Sequence, residues 1–165
     1  KNYTGVGNAT LPVKALMEDT LGVKILVKNS HFRLGNKTTK LTHYIHADNP
    51  EAQYAMVLHM TTPACKSGTA FWQHKYTGLH NLPQKYGKAL FDVLDQDTWN
   101  ENRWNLTDFA ESKANRAVFF DSSLFHSRWP KNLPIEENET PRLVFVVFFD
   151  VIKPEDLEDE ASQSE

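Results

Sequence analysis

The segment that most restricts the fold of this chain is Arg142–Val151, which reads RLVFVVFFDV. Its middle positions are all apolar, and they are either β-branched or aromatic, which is typical of strands. A half-exposed strand alternates apolar with polar residues, and this run does not alternate. The segment is therefore predicted to be a strand that is buried on both faces.

Several other segments have the composition of strands. Their β-branched and aromatic residues, bounded by turn-forming residues, predict strands at 23–27, 31–34, 40–46, 54–61, 68–74 and 116–122. Asn29-Ser30 and Gly35-Asn36 are predicted turns. Many short strands with few helices predict a mostly β fold with a few flanking helices, built from two sheets as in a jelly roll.

Two helices are predicted beside these strands. Residues 11–21 have Thr10 as a cap, Pro12 in the first turn and Gly22 at the exit. The apolar stripe of this helix should pack on a sheet, and it consists of Val13, Leu16, Met17 and Leu21. Residues 84–94 should include a second helix, and the polar region 95–113 is interpreted as a helix-plus-loop insertion.

Length and composition favour one domain. The chain has 165 residues, of which 40% are hydrophobic, enough for a substantial core. We predict a single domain over residues 1–150 and a mobile tail over 151–165, where six acidic residues accompany one lysine. The rest of the chain is close to neutral, which differs from the strongly basic surface of a dedicated nucleic-acid binder, so extended nucleic acid is not an expected partner.

A cytoplasmic location is expected. The sequence has no run of roughly 18 apolar residues that would span a membrane, and its first residues lack the pattern of a signal peptide. Cys65 is the sole cysteine, which fits a reducing compartment. Asn-x-Thr triplets, which matter only in a secreted protein, occur at Asn2, Asn8, Asn36, Asn105 and Asn138.

A short motif carries candidate metal ligands. His46 and Asp48 are two residues apart in a segment that favours a strand, so both side chains should point to the same face. His126 follows an apolar strand and could supply a third ligand. Two histidines and one carboxylate leave three metal positions open, which suits non-haem Fe(II) oxygenases. Taken singly, each residue has an ordinary alternative: packing for the histidines and an Asx turn for Asp48.

The ordered set of motifs resembles the Fe(II)- and 2-oxoglutarate-dependent oxygenases with a double-stranded β-helix core. The resemblance includes the prolyl-hydroxylase-like branch and small bacterial or phage relatives, and it spans residues 31–150. The matching positions are the H-x-D pair His46 and Asp48, the glycine-led strand SGTAFWQHK at 67–75, the distal histidine His126 in NRAVFFDSSLFHSRWP, and Arg142, sixteen residues after His126.

The resemblance implies a cupin-like fold and a role for each matching residue. His46, Asp48 and His126 would bind Fe(II) and form the catalytic centre. Arg142 would pair with the far carboxylate of 2-oxoglutarate, for which a guanidinium is well shaped. Tyr44, two residues before His46, would bind the co-substrate or line the pocket.

The resemblance also implies a reaction. Molecular oxygen would convert 2-oxoglutarate to succinate and carbon dioxide while a substrate is hydroxylated. Hydroxylation is favoured because the related halogenases replace the residue at the position of Asp48 with a small one. A small molecule or a protein side chain is the expected substrate, and a nucleobase stays open.

Three alternatives remain at this point. The first is a non-catalytic cupin-like module that binds a metal or small molecule, which would have no need of Arg142. The second is a zinc hydrolase with the same three ligands, although the sequence has no HExxH-like pair to provide a base. The third concerns which arginine binds the far carboxylate of 2-oxoglutarate, because Arg128 could do so in place of Arg142. His74 is interpreted as a packing residue that could face the cavity.

Overall fold

The computed structural model describes residues 2–3, 7–48, 51–61 and 66–153, with side chains from Thr10 onward. In chain order its elements are β1 (Asn2–Tyr3), α1 (Gly7–Leu21), β2 (Ile25–Gly35), β3 (Tyr54–His59), β4 (Gly68–His74), α2 (Lys88–Asp97), a 3₁₀ helix (Glu101–Arg103), β5 (Trp104–Glu111), β6 (Arg116–Asp121), β7 (His126–Trp129) and β8 (Arg142–Val151).

The strands form two antiparallel sheets. One has five strands in the order β1-β2-β8-β3-β6, and the other has three in the order β5-β4-β7. Inward side chains of both sheets line one cavity, so the sheets face each other. The predicted fold, mostly β with two sheets and a few helices, is confirmed.

β8 lies in the middle of the larger sheet and is buried on both faces, as predicted. On its outer face, Phe145 and Val147 pack with Met17 of α1. On its inner face, Val144 and Val146 pack with strands β3 and β6. Full burial of one such side chain stabilises the fold by about 1.5–3 kcal/mol, so a strand covered on both faces anchors the sheet.

α1 begins four residues earlier than predicted, at Gly7, so Thr10 and Pro12 lie inside it. Thr10 does not act as the N-cap, because its hydroxyl forms a hydrogen bond of 2.8 Å with the Ser30 hydroxyl on β2. The predicted exit at Gly22 is confirmed by a φ of 68° and by a bond from its N–H to the Glu18 carbonyl. Of the apolar stripe, Met17 is buried, whereas Leu16 is 65% exposed.

Two predictions for the strands were wrong. Segments 23–27 and 31–34 are one strand, β2, because β8 is long enough to pair through Asn29 and Ser30; a register shift after Val27 replaces the predicted turn. The region 95–113 contains β5, which pairs along the whole of β4. β5 is an edge strand with exposed side chains, so its sequence is polar and did not predict a strand.

Two predictions concern residues outside the described ranges. Cys65 and the acidic tail from Pro154 onward lie outside them, and the division into a domain and a mobile tail stays a prediction. Neither α1 nor α2, the helices of the described ranges, combines the length and the apolar character that crossing a membrane requires.

Gly68 offers a test of how closely β4 and β5 approach each other. A Cβ added at Gly68 would overlap the Ala110 carbonyl oxygen and lie 2.6 Å from the Phe109 ring. We therefore expect Gly68→Ala to lower the free energy of unfolding by about 2 kcal/mol or more. The measurement is urea-induced unfolding followed by circular dichroism.

Gly87→Ala is the matched control, because an added Cβ at Gly87 meets no atom within 4 Å. Its cost should stay near the roughly 1 kcal/mol expected for alanine at a helix N-cap. Equal losses in the two variants would contradict the close approach at Gly68.

Candidate functional site

A cavity of about 570 Å³ lies between the two sheets. Mostly alternate residues of the strands face it, because successive side chains point to opposite sides. The larger sheet contributes mostly apolar side chains together with two arginines, and the smaller sheet contributes Thr69, His126 and Arg128. The segment 43–48 completes the lining next to His126.

The segment 40–46 was predicted to be a strand, and this prediction was wrong. The segment is irregular and pairs only through an isolated β-bridge between His46 and His126. Backbone N–H groups of this segment and of the residues after it bond to separate parts of the chain: Ile45 to the Thr98 carbonyl and Asp48 to the Ser122 carbonyl. Side chains of residues 43 and 45–48 line the cavity.

The structure brings together His46, Asp48 and His126. One ligand atom from each lies within 4.8 Å of the other two. The distances are 3.6 Å from His46 Nε2 to Asp48 Oδ1 and 3.3 Å from His126 Nε2 to Asp48 Oδ2. The grouping arises from the β-bridge and not from the shared strand face on which the sequence argument relied.

Backbone carbonyls orient both imidazoles. His46 Nδ1 lies 3.0 Å from the Tyr44 carbonyl, and His126 Nδ1 lies 2.9 Å from the Leu124 carbonyl. A carbonyl oxygen can only accept, so each Nδ1 carries a proton, and each Nε2 is directed toward the Asp48 carboxylate. Two ring nitrogens and a carboxylate therefore converge on one point.

Burial and neighbouring charges set the protonation of this cluster. Burial lowers the pKa of His126 to about 4, although the Asp48 charge opposes the shift. Burial alone would raise the pKa of Asp48, but its hydrogen bond with His46 and the charges around it keep that pKa below the ordinary value. At neutral pH the His126 ring is neutral and Asp48 is ionised, which is the state that a cation requires of its ligands.

Arg142 and its rival Arg128 both line the cavity. Arg142 is 5% exposed, and its Nη2 lies 3.5 Å from the Gly68 carbonyl. Arg128 donates from Nη2 to the carbonyls of Lys131 and Thr39, at 2.9 and 3.4 Å. Position alone therefore does not choose between them, and the role of Arg142 in holding a co-substrate stays a prediction.

Tyr44 does not line the cavity beside His126. It is 1% exposed, its ring stacks on Trp99, and its hydroxyl donates to Glu101 Oε1 at 2.8 Å. Burial, together with Glu101, raises the pKa of Tyr44 above its ordinary value. Tyr44 borders only a smaller cavity of about 230 Å³, because the irregular segment does not keep the two-residue alternation of a strand.

His74 is a packing residue. It is fully buried, its Nε2 lies 3.0 Å from Asp97 Oδ2, and its Nδ1 lies 3.0 Å from the Thr77 hydroxyl. Its ring contacts Trp104, and it is absent from the cavity lining. The aspartate and the hydroxyl use both of its ring nitrogens.

Arg33 is the cavity residue that the sequence reasoning missed. It extends from β2 into the cavity beside His31. Burial lowers its pKa, and the Asp48 charge opposes that shift. Alternation within HFRLG could have revealed it, since His31 and Arg33 share one face while Phe32 and Leu34 take the other.

A family profile described as a family of unknown function, DUF6445, matches residues 35–149. The chain belongs to the DUF6445 family. The matched range includes His46, Asp48, His126 and Arg142, and Arg33 lies just before it. A comparison with curated proteins found no match.

Several solved structures are similar to this chain. HygX from Streptomyces hygroscopicus is 11% identical; the match covers 90% of this chain and 71% of HygX, with TM-scores of 0.52 for the iron-bound form and 0.53 for the apo form. AviO1 from Streptomyces viridochromogenes Tue57 is 13% identical, with a TM-score of 0.49 over 86% of this chain and 57% of AviO1. SnoN, a non-haem α-ketoglutarate-dependent epimerase from nogalamycin biosynthesis, is 14% identical, with a TM-score of 0.48 over 83% of this chain and 51% of SnoN.

The HygX match confirms the cupin-like fold predicted from the sequence. At 11% identity the likeness to HygX concerns the fold alone. The chain spans only about half of the length of AviO1 and SnoN.

Proposed function

We propose that this protein is an Fe(II)- and 2-oxoglutarate-dependent oxygenase. It hydroxylates a substrate held in the cavity and releases succinate and carbon dioxide. The observation that carries the proposal is the convergence of His46 Nε2, His126 Nε2 and the Asp48 carboxylate, with both rings oriented by backbone carbonyls.

The three ligand atoms fit this metal. Two imidazoles and one carboxylate are the ligand set of non-haem Fe(II) oxygenases. A hydrogen bond from the far ring nitrogen to a carbonyl is how proteins commonly orient a metal-binding histidine. HygX, which shares the fold, has a structure with iron bound, and this supports iron over other metals here.

The site also has room for a small molecule beside the metal. His46, Asp48 and His126 all line the cavity, so a bound metal would face it. When bound, the iron would coordinate 2-oxoglutarate and supply the oxygen chemistry. A closed structural site would have no use for a cavity of this size beside its ligands.

In this proposal Arg142 holds the far carboxylate of 2-oxoglutarate. Its guanidinium can form two parallel charge-assisted hydrogen bonds. It is buried, so little water competes for those bonds, and an ion pair is stronger there than at the surface. The apolar side chains of the inner sheet face, among them Val144, Val146 and Phe120, keep water away from the reacting groups.

Loss of one ligand should abolish both metal binding and turnover. We expect His46→Ala to lower Fe(II) affinity by more than about a hundredfold, because even groups that only orient a ligand are worth 10–100-fold. Metal binding is measured by anaerobic calorimetric titration. Succinate formed from 2-oxoglutarate in air, even without a substrate, should fall to background.

His80→Ala is the control, since His80 is exposed and outside the cavity lining. This variant should bind Fe(II) and form succinate as the unaltered protein does. Succinate production by His46→Ala at the rate of the unaltered protein would contradict the proposed metal centre.

Arg142→Gln should weaken 2-oxoglutarate binding by roughly tenfold to a hundredfold, because it removes charge-assisted hydrogen bonds to the far carboxylate. Metal affinity should not change. The measurement is calorimetric titration of 2-oxoglutarate into Mn(II)-loaded protein without oxygen.

Tyr44→Phe is the comparison variant, because the Tyr44 hydroxyl is bonded to Glu101 and does not reach the main cavity. Its 2-oxoglutarate affinity should stay within about twofold. A loss in Tyr44→Phe and none in Arg142→Gln would reverse the assignment. No 2-oxoglutarate binding by any form would favour the non-catalytic binding module.

A further inference from the structure

Arg33 and Arg128 enter the cavity in addition to Arg142. Arg33 lies on β2, directly opposite Val144 of β8, so it is one step along the same sheet face from Arg142. Arg128 lies on β7 of the other sheet, opposite Thr69. The guanidiniums therefore come from both walls of the cavity.

Gly35 makes room for this cluster. It is the residue opposite Arg142 on β2. A Cβ added at Gly35 would lie 3.3 Å from Arg128 Nη1 and 2.9 Å from Leu133 Cδ1. The Arg128 guanidinium thus occupies the space that a side chain at position 35 would fill, next to Arg142.

The two additional arginines repel each other. Burial is the main cause that lowers the pKa of Arg128, and the charge of Arg33 adds to it. Gathering like charges in a partly buried space costs free energy unless an anion compensates them. A cluster with only a structural role would be expected to contain that anion among its own side chains.

The described residues do not supply enough negative charge. Within the ranges that the structure describes, the Arg33 side chain forms no hydrogen bond or ion pair. Arg128 donates only to neutral backbone carbonyls, and its Nε is buried without a partner. Two carboxylates line the cavity. Asp48 is one of the proposed metal ligands, and Asp95 is exposed on α2.

The positive charge extends into the smaller cavity of about 230 Å³. Arg33, Arg128 and Arg142 border both cavities, and Lys40 and His43 are further members of the smaller lining. Among the described residues that line the smaller cavity, there is no carboxylate. This end of the site is therefore suited to a negatively charged group.

We propose that Arg33 and Arg128 bind a carboxylate or phosphate group of the substrate, while Arg142 holds 2-oxoglutarate. This inference rests on the proposed function, because 2-oxoglutarate occupies only one of the three guanidiniums. Its near carboxylate and keto oxygen go to the metal, and its far carboxylate goes to Arg142. The two remaining arginines then require a second anion, which makes the substrate an anion.

The experiment titrates simple anions into the full-length protein loaded with Mn(II) and saturating 2-oxoglutarate, without oxygen. Inorganic phosphate and acetate are the probes, in separate calorimetric titrations at constant ionic strength. We expect one anion to bind per chain, and Arg33→Gln to weaken it by roughly tenfold or more. The affinity for 2-oxoglutarate should fall by much less than it does in Arg142→Gln. Tighter phosphate binding indicates a phosphate-bearing substrate, and tighter acetate binding indicates a carboxylate.

Arg103→Gln is the matched control, because the Arg103 side chain is 60% exposed and lies outside both cavity linings. It should bind the probes as the unaltered protein does. Arg128→Gln is the second variant, and it should reproduce the loss seen in Arg33→Gln. Since the removal of Arg33 relieves repulsion and breaks no hydrogen bond among the described residues, Arg33→Gln should not melt at a lower temperature.

Two results would overturn the inference. One is the absence of any anion binding that depends on Arg33. The other is a loss of 2-oxoglutarate affinity in Arg33→Gln as large as that in Arg142→Gln, which would assign all three arginines to the co-substrate. If instead 2-oxoglutarate fails to bind but phosphate binds through Arg33, the proposed function falls and the anion site stands.

Discussion

The site depends on one pair of backbone hydrogen bonds. The His46 N–H donates to the His126 carbonyl at 3.0 Å, and the His126 N–H donates to the His46 carbonyl at 2.8 Å. These bonds join an irregular segment to the first residue of β7 across 80 positions of sequence. Because the two backbones are locked together, both imidazoles and the Asp48 carboxylate meet without a regular ladder.

The rest of the fold encloses the paired backbones of His46 and His126 in a cavity that is partly shielded from water. β8 is covered by α1 on one face and contributes Val144 and Val146 to the cavity wall on the other. Arg142 begins the same strand, so one buried element supplies both the apolar wall and a guanidinium. The cavity therefore contains both the cluster of candidate metal ligands and three arginines, which come from both of its walls.

Strong local patterns predicted much of this arrangement. The uninterrupted apolar run gave the bounds of β8, and the glycine-led aromatic segment gave those of β4. The spacing of His46, Asp48 and His126 selected three residues that the structure does place together. For the site residues the signal came from the ordered set of motifs, since each residue taken singly has an ordinary alternative.

Long-range effects explain what the sequence did not reveal. β5 is polar, and it forms a strand only because it pairs with β4. The segment 40–46 has strand-forming residues, but its hydrogen bonds go to Thr98, His126 and Ser122, so Tyr44 turns to Glu101. Arg33 was missed because its burial depends on the facing sheet.

The most direct test of the central claim is anomalous diffraction at the iron edge from crystals of the protein grown with Fe(II) and 2-oxoglutarate without oxygen. The account predicts one anomalous peak, about 2.0–2.2 Å from His46 Nε2, His126 Nε2 and an Asp48 oxygen, as is usual for such ligands on a metal of this size. A peak bound by other residues, or none at these three in crystals that contain iron, would contradict it.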